Sequence, residues 1–568
     1  MNTKVMNLGE AIDRYVKPGM TIHMGLEAGA AAREVARQFW GTDAGFTLIM
    51  NMVGGHHALS LIHGGLVRKL IFTNCSDIYP RPLPNPVVQR AFKGKTIELE
   101  NWSLLSLTQA LMAGALKLPF MPTRSVVGSD MANDNKQAFM VIEDAFGSGD
   151  RIGLVKALCP DVSLMHGWAA DPLGNVILAA PARDAWAAKA SKGGVIVTVE
   201  RLVTEDFIRS HSLLVKIPGS LVNAVCVVPL GAHPQSMNSH NLSEFEGYEL
   251  DHEFLKDFRE ACEDPSRLDK WINEWILDCR DQKAYLDKVG GSRICELKNR
   301  ANPSSQRNNE TKPEGFMDYE PSTAEYAIIA GARKIKEIVI KKQYKTMFAG
   351  IGLSGLAGWC AYHLLKEEDY HIDLLAAGIG YEPCPGDPLL ISSANIATSK
   401  MISDCLDVHG VSVGGVRSQC LAVLGAGQID KFGNINSTVI ESRRGDKIYL
   451  SGAGGGNDIA SAAREVVVVT VNRGNRLVEK VSYITCPGTR VTTLITDEGI
   501  FEKVDSEFVL KGYFPTPGKP GETERVKEIS QYCGWDLSAS CQLERLPPPN
   551  SRELRLLRSF DPERVFLK

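Results

Sequence analysis

The sequence lacks the features that mark several large classes of protein. Its 568 residues carry a formal net charge of −4, so there is no excess of basic residues to form a face for nucleic acid. No apolar run is long enough to span a bilayer, and the opening residues (MNTKVMNLGEAIDRYV) have no signal-peptide core before their charges. These absences predict a cytoplasmic protein that binds neither nucleic acid nor a membrane.

Closely paired cysteines are also missing. The 13 cysteines are scattered with no CxxC pair, whereas a disulfide framework or a zinc site needs close, paired spacing. The 12 histidines are dispersed as well, and His56 and His57 would point to opposite faces of a strand. We therefore expect mostly buried thiols and no bound metal.

Glycine, by contrast, is abundant: 52 residues, many of them at the ends of apolar segments, as tight turns between strands and helices require. A polar stretch rich in proline and asparagine, residues 301–321, cannot bury a core and is predicted to be a linker. It would separate a domain at 1–300 from a domain at 322–568, whose first helix is expected to start at Thr323.

The two sides of this linker repeat one pattern. Residues 17–25 (KPGMTIHMG) and 342–350 (KQYKTMFAG) each predict an apolar strand that ends on glycine and precedes a helix. A second strand is predicted to end on Gly55 in the first half and on Gly380 in the second, and a DxxGN turn follows at Asp171 and at Asp430. The first half carries an extra segment between these markers. The pattern indicates a duplicated domain.

Strand–turn–helix alternation of this kind indicates parallel sheets covered by helices. We expect an α/β fold of two related open parallel-sheet domains. Ligands of such sheets bind beyond the carboxyl ends of the strands. Two related sheets that face each other would therefore place the active site in a cleft between the domains.

Three short motifs allow a chemical interpretation. Residues 350–355 (GIGLSG) match a dinucleotide-binding pattern, but the duplicate turn at 25–29 (GLEAG) lacks it, which favours close packing of a helix on a strand. Residues 452–458 (GAGGGND) open a helix with four glycines, whose main-chain N–H groups suit an anion or an oxyanion. Glu98 and Glu100 share one face of a short strand, a pattern usually typical of a solvated strand face.

Taken in order, these segments resemble the class I coenzyme A-transferases, in particular the glutaconate branch. The resemblance rests on IELENWS…AGALKLPFMPTRS, DVSLMHGWAADPLGNV, VTVERLV and IPGSLVNAVCVVPLGAHPQS in the first half, and on GAGQIDKFGNINST, SGAGGGNDIAS, YITCPGTRV and RELRLLRSFDPERVFL in the second. Members of that family usually consist of two subunits, so this chain resembles a fusion of an alpha-like and a beta-like subunit. The resemblance implies an acyl-CoA substrate, with coenzyme A as part of the substrate and no permanently bound cofactor. It leaves open whether the chain forms a homo-oligomer.

The family's transferases form a thioester on a glutamate in an E-x-G-x-x-G motif, which divides one difficult acyl exchange into easier steps. The matching residues here are 376–381 (AAGIGY), where Gly378 fits the motif glycine and Ala376 takes the place of the glutamate. An alanine cannot be a nucleophile. A relocated carboxylate would have to be Glu382, six residues further on, or Glu27.

The missing glutamate points to a second branch of the same fold. The chain also resembles the two-subunit hydrolases that open the last carbocyclic ring in bacterial steroid breakdown. These act on cyclic CoA thioesters and use a first-subunit glutamate in an E-x-E-[EN]-x-S region. Glu100 matches that glutamate best, and Glu98 is the alternative register.

The resemblance therefore implies hydrolytic carbon–carbon cleavage of a CoA-bound β-dicarbonyl, with a glutamate as general base and amides near Gly454–Asn457 stabilising the oxyanion. CoA transfer through a relocated carboxylate and acyl-CoA binding without catalysis are the alternatives. The expected catalytic residues are Glu98, Glu100 and Glu382. The expected substrate- and CoA-binding residues are Gly25, Gly54, Gly55, Gly352, Gly378, Gly454, Gly455, Gly456 and Asn457.

Overall fold

The computed structural model describes residues 3–77, 81–179, 181, 184–239, 242–301, 319–390, 392–441, 445–474, 476–515 and 521–568. The predicted linker, 301–321, lies almost wholly outside the described residues. The chain groups into two compact units. Among the described residues, the first unit contains those up to Thr123, those from 134 to 301, and Lys447–Gly454; the second contains Arg124–Asn133, residues 319–446 and Gly455–Lys568. The domain boundaries at 300 and 322 stay a prediction.

The strands of the first unit form a large sheet and a small one. They are β1 (Thr21–Met24), β2 (Phe46–Met52), β3 (Val67–Asn74), β4 (Glu98–Asn101), β5 (Phe120–Thr123), β6 (Phe139–Glu143), β7 (Arg151–Lys156), β8 (Val162–Ala170), β9 (Val176–Leu178), β10 (Val195–Leu202), β11 (Val215–Ile217) and β12 (Val222–Val227). Parallel neighbours run in the order β4-β3-β2-β1-β8-β10-β12, with β9 and β11 added by antiparallel pairing. The order β5-β7-β6 makes a separate antiparallel sheet.

Helices of the first unit start at recognisable caps. Asn85 accepts the N–H of Val87 ahead of Pro86, and Ser103 and Ser106 form a reciprocal capping box. The helices are Leu8–Tyr15, Gly29–Phe39, His56–His63, Pro86–Gly94, Leu104–Ala115, Ala185–Ala190, Glu205–Ser210, His252–Ala261, Pro265–Ile272, Gln282–Val289 and Gly291–Ala301. A short helix, Met131–Asp134, belongs mostly to the second unit.

The remaining strands, of which all but β21 lie in the second unit, belong mainly to a ten-stranded sheet. They are β13 (Thr346–Ala349), β14 (Asp373–Ala376), β15 (Ile379–Tyr381), β16 (Met401–Ile402), β17 (Cys420–Leu424), β18 (Gln428–Asp430), β19 (Ile435–Asn436), β20 (Val439–Glu441), β21 (Lys447–Tyr449), β22 (Glu465–Val469), β23 (Leu477–Val478), β24 (Val491–Ile495), β25 (Gly499–Val504), β26 (Glu507–Tyr513) and β27 (Ser538–Arg545). The sheet order is β16-β15-β14-β13-β17-β22-β24-β25-β26-β27, and its centre, β14 to β24, is parallel.

The first helix of the second half begins at Thr323, as the sequence predicts. The Ser322 hydroxyl accepts the N–H of Glu325, and the Glu325 carboxylate accepts the N–H of Ser322. The same carboxylate pairs with the buried Arg558 at 2.7 Å. The helices of this unit are Thr323–Lys342, Leu353–Glu367, Ser393–Ala397, Gly456–Ala462, Glu522–Tyr532 and Ser551–Phe560, with a π-helix at Leu406–Val413.

The two units follow the same chain path, which confirms the predicted duplication. Strand β1 lies between β2 and β8, and β13 lies between β14 and β17. From there the first sheet continues through β10 and β12, and the second through β22 and β24. The extra segment of the first half supplies β3 to β7, which have no counterpart in the second parallel sheet. The α/β fold of two related parallel-sheet domains is therefore confirmed.

Both DxxGN turns close in the same way. The Asp171 carboxylate accepts the N–H groups of residues 173 and 175, and the Asp430 carboxylate those of residues 432 and 434. The asparagine of each turn accepts the N–H of a second glycine, Gly219 or Gly488. A lysine ammonium caps each of these glycines by donating to its carbonyl, from Lys4 in the first unit and from Lys503 in the second.

The interiors of the two units are apolar and closely packed. Trp359, Phe46, Phe501 and Phe560 are among the largest fully buried side chains. All 13 cysteines are free, and eight are buried. No helix within the described ranges is long and apolar enough to cross a membrane. The cytoplasmic location stays a prediction.

Candidate active site

The first turn of the first unit lies beyond the carboxyl end of β1. The N–H of Gly25 donates to the carbonyl of Leu164 on β8, 2.9 Å away. The turn after β2 contains Gly54 and Gly55, and Gly55, with a φ of 129°, begins the helix His56–His63. These glycines therefore lie at the edge of the sheet where the sequence predicts the site. Glu27 lies half-buried on the Gly25 turn.

His56 and His57 start a helix rather than lying on a strand, so the predicted opposite orientation is wrong. A directed chain of hydrogen bonds passes through them. Arg33 can only donate, and its Nη1 lies 3.2 Å from Nε2 of His56; the Leu26 carbonyl can only accept, and lies 2.6 Å from Nε2 of His57. The two Nδ1 atoms are 3.2 Å apart, so His56 donates to His57.

This chain fixes the turn after β1 through two neutral imidazoles. Burial lowers the pKa of His57 to about 4 and, together with His57 and Arg33, lowers that of His56 well below its ordinary value. The bond to Leu26 holds the residue next to Gly25. No group of three or more His, Cys, Asp or Glu side chains among the described residues could hold a metal ion.

Glu98 and Glu100 share one face of β4 and contact the same cation. Nζ of Lys69, on β3, lies 2.8 Å from a carboxylate oxygen of Glu98 and 2.5 Å from one of Glu100. Trp102 Nε1 donates to the other Glu100 oxygen at 2.7 Å. The Glu98 side chain is 66% exposed and that of Glu100 only 19%, so Glu100 is the enclosed carboxylate. Partial burial acts to lower the pKa of Lys69, but its hydrogen bonds to Glu100 and Glu98 outweigh this and raise the pKa.

Asn101 is a site residue that the sequence patterns miss. It lies on the face of β4 opposite Glu100 and is buried. Its Nδ2 donates to the carbonyl of Thr73 at 3.1 Å, and its Oδ1 accepts the N–H of Ala453 at 3.1 Å. A Cβ on Gly452 would lie 2.8 Å from both the Asn101 amide and the Thr73 carbonyl. Glycine is required here because the segment Ser451–Gly454 packs directly against the ends of β3 and β4.

Part of the glycine-rich segment has its amides occupied. Besides Ala453, whose N–H is bound by Asn101, the N–H of Gly454 donates to the Thr73 carbonyl at 2.8 Å. The N–H groups of Gly455 and Gly456 have no acceptor among the residues that the structure describes. Of the expected oxyanion donors, Gly454 is therefore engaged in holding the segment, and Gly455 and Gly456 are the candidates.

Asn457, expected to bind substrate, has both ends of its side chain engaged by protein. It is fully buried; Oδ1 accepts the N–H of Val126 at 2.7 Å, and Nδ2 donates to the Thr485 carbonyl at 2.8 Å. Val126 has a φ of 71°, a left-handed conformation that costs a β-branched residue about 1–2 kcal/mol. Such strain concentrates at functional sites. Asn457 thus positions the segment Arg124–Asn133, which no local pattern in the sequence assigns to this unit.

The segment that contains Ala376 forms a hairpin. Strand β14 ends at Ala376, the chain turns at Gly378 (φ 88°), and β15 returns antiparallel, with Ala376 opposite Ile379. Gly380 therefore lies inside β15, and the prediction that a strand ends on it is wrong. Ala376 is fully buried, so its methyl group occupies the place where the resemblance requires a carboxylate.

Glu382 lies at the other end of this hairpin. Because Tyr381 pairs with Leu374, Glu382 follows beside Asp373, about 10 Å along the strand from Ala376. Its carboxylate forms ion pairs with Lys400 (2.9 Å) and Lys366 (3.3 Å), which hold its pKa below the usual range. Glu382 is thus not brought to the position of Ala376.

The GxGxxG turn of the second unit is a packing device. A Cβ on Gly355 would lie 2.5 Å from the carbonyl oxygen of Gly350, and one on Gly350 would lie 2.9 Å from that of Val423. Gly352, with a φ of 79°, begins the helix Leu353–Glu367. These contacts agree with close packing of helix on strand and give no role for a dinucleotide.

Comparison with known proteins identifies a family model and relatives that match this chain. The family model for coenzyme A transferase matches residues 5–227 and 391–507, more than half of the sequence; neither range includes Ala376. One subunit of the glutaconate CoA-transferase of Acidaminococcus fermentans is 30% identical over 321 residues, which is 52% of this chain and 95% of that protein. The other kind of subunit, from the 3-oxoadipate CoA-transferase of Pseudomonas knackmussii, is 29% identical over 258 residues, 42% of this chain and 93% of that protein.

A solved structure of similar length shows the same fold. The acyl-CoA transferase from Escherichia coli O157:H7, crystallised as a thioester complex with CoA, aligns with a TM-score of 0.65 over 98% of this chain and 96% of its own, at 17% identity. Relatives of both subunit kinds match one polypeptide here. The chain therefore belongs to the coenzyme A transferase family, and it joins in a single polypeptide the counterparts of two subunits.

Proposed function

We propose that this protein transfers coenzyme A from an acyl-CoA to a carboxylic acid. The proposal is supported by the names of its relatives, which are glutaconate and 3-oxoadipate CoA-transferase subunits of both kinds. It differs from the hydrolytic reaction that the missing glutamate alone suggests. The observation that has to be reconciled with transfer is the buried methyl group of Ala376.

Coenzyme A can be transferred directly between the two substrates, without a carboxylate of the enzyme as nucleophile. The carboxylate of the acceptor acid attacks the thioester carbonyl, the carbon–sulfur bond breaks, and coenzyme A leaves as a thiolate. The two acyl groups are then joined as a mixed anhydride. The thiolate attacks the acceptor's carbonyl, which forms the new thioester and releases the donor acid as a carboxylate. The glutamate is replaced by the second substrate, so both substrates must be bound together.

In this scheme the protein positions the two substrates and stabilises the negative charge that develops on the thioester oxygen. The N–H groups of Gly455 and Gly456 are the candidate donors to the thioester oxygen as it becomes negative. Asn101 and Asn457 hold the segments on either side of these glycines within their own units. Both asparagines are buried, so they act by positioning and do not contact the substrate.

Steady-state kinetics test the proposal. Initial rates are measured while the acyl-CoA is varied at several fixed concentrations of acid, with products followed by mass spectrometry across a panel of acyl-CoAs. Direct transfer predicts intersecting double-reciprocal lines, because both substrates are present at once. A glutamyl thioester predicts parallel lines, and borohydride treatment followed by peptide mapping would then find a reduced glutamate in residues 371–390. Thioester or carbon–carbon bond cleavage at full rate with no acid present would overturn transfer.

Hydrolytic carbon–carbon cleavage of a cyclic CoA thioester is the second candidate. Two observations favour it: Ala376 and the enclosure of Glu100, whose carboxylate is fixed between Trp102 and Lys69. Glu100 would accept the proton from water or from the substrate. Acyl-CoA binding without turnover of any panel member would instead favour the third alternative, a binding protein.

A further inference from the structure

The small sheet of β5, β7 and β6 exposes an apolar face. The strand register places Pro122, Leu154 and Met140 in one row across this face and Ile152 and Ile142 in the next. Met140 is 60% exposed and Ile142 38%, while Leu154 and Ile152 are half-buried. An apolar row of this kind is unusual on the solvent side of an antiparallel sheet.

The opposite face of the same sheet is already packed. Phe139 and Val155 are buried there, and a Cβ on Gly153 would lie 2.5 Å from the Phe139 ring. The sheet is therefore apolar on both faces, and its core contacts account for only one of them. Further exposed apolar side chains lie close by in the chain: Leu116 and Leu118 precede β5, Phe120 begins it, and the fully exposed Phe146 lies in the β6–β7 turn. Contiguous apolar surface of this kind marks an interaction site.

Charges of opposite sign flank the apolar face. Lys156 ends β7 on this face, and Asp150 precedes the other end of β7 on the same face, because even-numbered residues of the strand alternate together. Their Cα atoms are about 20 Å apart along the strand. Neither side chain forms an ion pair within the described ranges of the chain. One end of the face is therefore acidic and the other basic, with apolar side chains between.

We propose that this face docks onto the same face of a second copy of the chain, forming a two-fold symmetric dimer. A two-fold axis that lies in the plane between the two faces, above Gly153 and perpendicular to the strands, lays the two β7 strands over each other in opposite directions. Asp150 then lies opposite Lys156 of the partner subunit, and Lys156 lies opposite Asp150 of the partner subunit. An isologous interface needs a self-complementary surface, and a face with an acidic and a basic end at equal distances from the axis meets that need.

Sedimentation velocity on the full chain tests this. The monomer mass is 62.1 kDa, and the wild-type protein is expected at twice that mass at micromolar concentration. Leu154→Glu puts two charges against apolar surface in each dimer and should weaken association by about 100-fold or more. Leu213→Glu is the matched control, because Leu213 is 90% exposed but lies outside this sheet; it should leave the dimer intact. Unchanged thermal unfolding shows that each variant is folded.

A charge-exchange cycle identifies the partner as a second copy. Asp150→Lys or Lys156→Glu alone creates two like-charged pairs per dimer and should raise the dissociation constant about 10-fold. The double variant Asp150→Lys/Lys156→Glu restores opposite charges at both places and should regain most of the affinity. A monomer at all concentrations, a dimer that survives Leu154→Glu, or a double variant as weak as the singles would each overturn the proposal.

Discussion

Replacing Gly452 by alanine is expected to lower the unfolding free energy by more than the strain of its backbone conformation alone would. Gly452 has a φ of 89°, where an L-residue costs about 1–2 kcal/mol. The new Cβ would in addition lie 2.8 Å from the Thr73 carbonyl and from the Asn101 amide, one of them main chain. Separating this donor and acceptor breaks a buried hydrogen bond, at about 1–3 kcal/mol, while the Thr73 carbonyl keeps the N–H of Gly454. The sum is roughly 2–5 kcal/mol, a large fraction of a typical unfolding free energy.

The control for this prediction is Gly65→Ala. Gly65 has a φ of 71°, but nothing lies within 4 Å of its added Cβ, so only the backbone cost of about 1–2 kcal/mol applies. Urea unfolding of the full chain, followed by tryptophan fluorescence, measures both variants, and the CoA-transfer rate is measured beside it. If Gly452→Ala loses no more unfolding free energy than Gly65→Ala, the contact with Asn101 does not hold the segment, and the positioning role assigned to Asn101 is wrong.

Three further predictions follow from single contacts. Between pH 7 and 4.5 the unfolding free energy of the first unit should fall by about 2–3 kcal/mol through His57, because its pKa is about 4 when folded and 6.5 when unfolded, so the unfolded chain binds the proton first. The urea midpoints at the two pH values should therefore lie closer together in His57→Gln than in the wild type, and an undiminished difference would contradict this. If Glu100 is a general base, Glu100→Gln should lower turnover by about 10²–10⁴-fold, while Glu98→Gln, which shares the contact with Lys69, stays near normal. Near-normal turnover in both variants would show that the base does not lie on β4. Gly219→Ala and Gly488→Ala should each prevent stable folding and give insoluble protein, because the added Cβ would lie 2.5 and 2.4 Å, respectively, from a main-chain oxygen. Gly474→Ala is the control: its added Cβ meets open space, so this variant should fold and stay soluble.

Much of the fold can be predicted from the sequence, because hydrophobic periodicity and the placement of glycines are local signals. The paired strands around β1 and β13, the DxxGN turns and the helix at Thr323 all follow from residues close together in the chain. His56 and His57 are different: the helix HHALSLIH is buried on all sides, and no alternation of polar and apolar residues distinguishes its sequence from that of a buried strand. The hairpin at Gly378 was hidden by a continuous apolar run that fits one strand as well as two.

The site was less accessible to sequence reasoning because it depends on partners far apart in the chain. Glu98 and Glu100 could be placed on one strand face, but Lys69, which both contact, comes from the neighbouring strand. No local pattern marks Asn101, which follows Glu98 and Glu100 and precedes Trp102. Its side chain nevertheless accepts the N–H of Ala453, which lies more than 350 residues away in the sequence. Asn457 follows a run of glycines, where a polar side chain is typical of a ligand-binding site. Only the structure shows that both polar atoms of this side chain form hydrogen bonds within the protein, to Val126 and Thr485.

The lysines that cap the two DxxGN turns bear on the history of the chain. Each donates to the carbonyl of the second glycine, but Lys4 precedes its turn in the sequence, whereas Lys503 comes from β25, after its own. Residues at such different places in the repeat cannot descend from one ancestral lysine. After the duplication, at least one half acquired its cation anew, and both arrived at the same atom. The two units thus place a positive charge beside the same carbonyl from different parts of the chain, and in a relative that lacks either lysine a compensating cation is expected there from some third position.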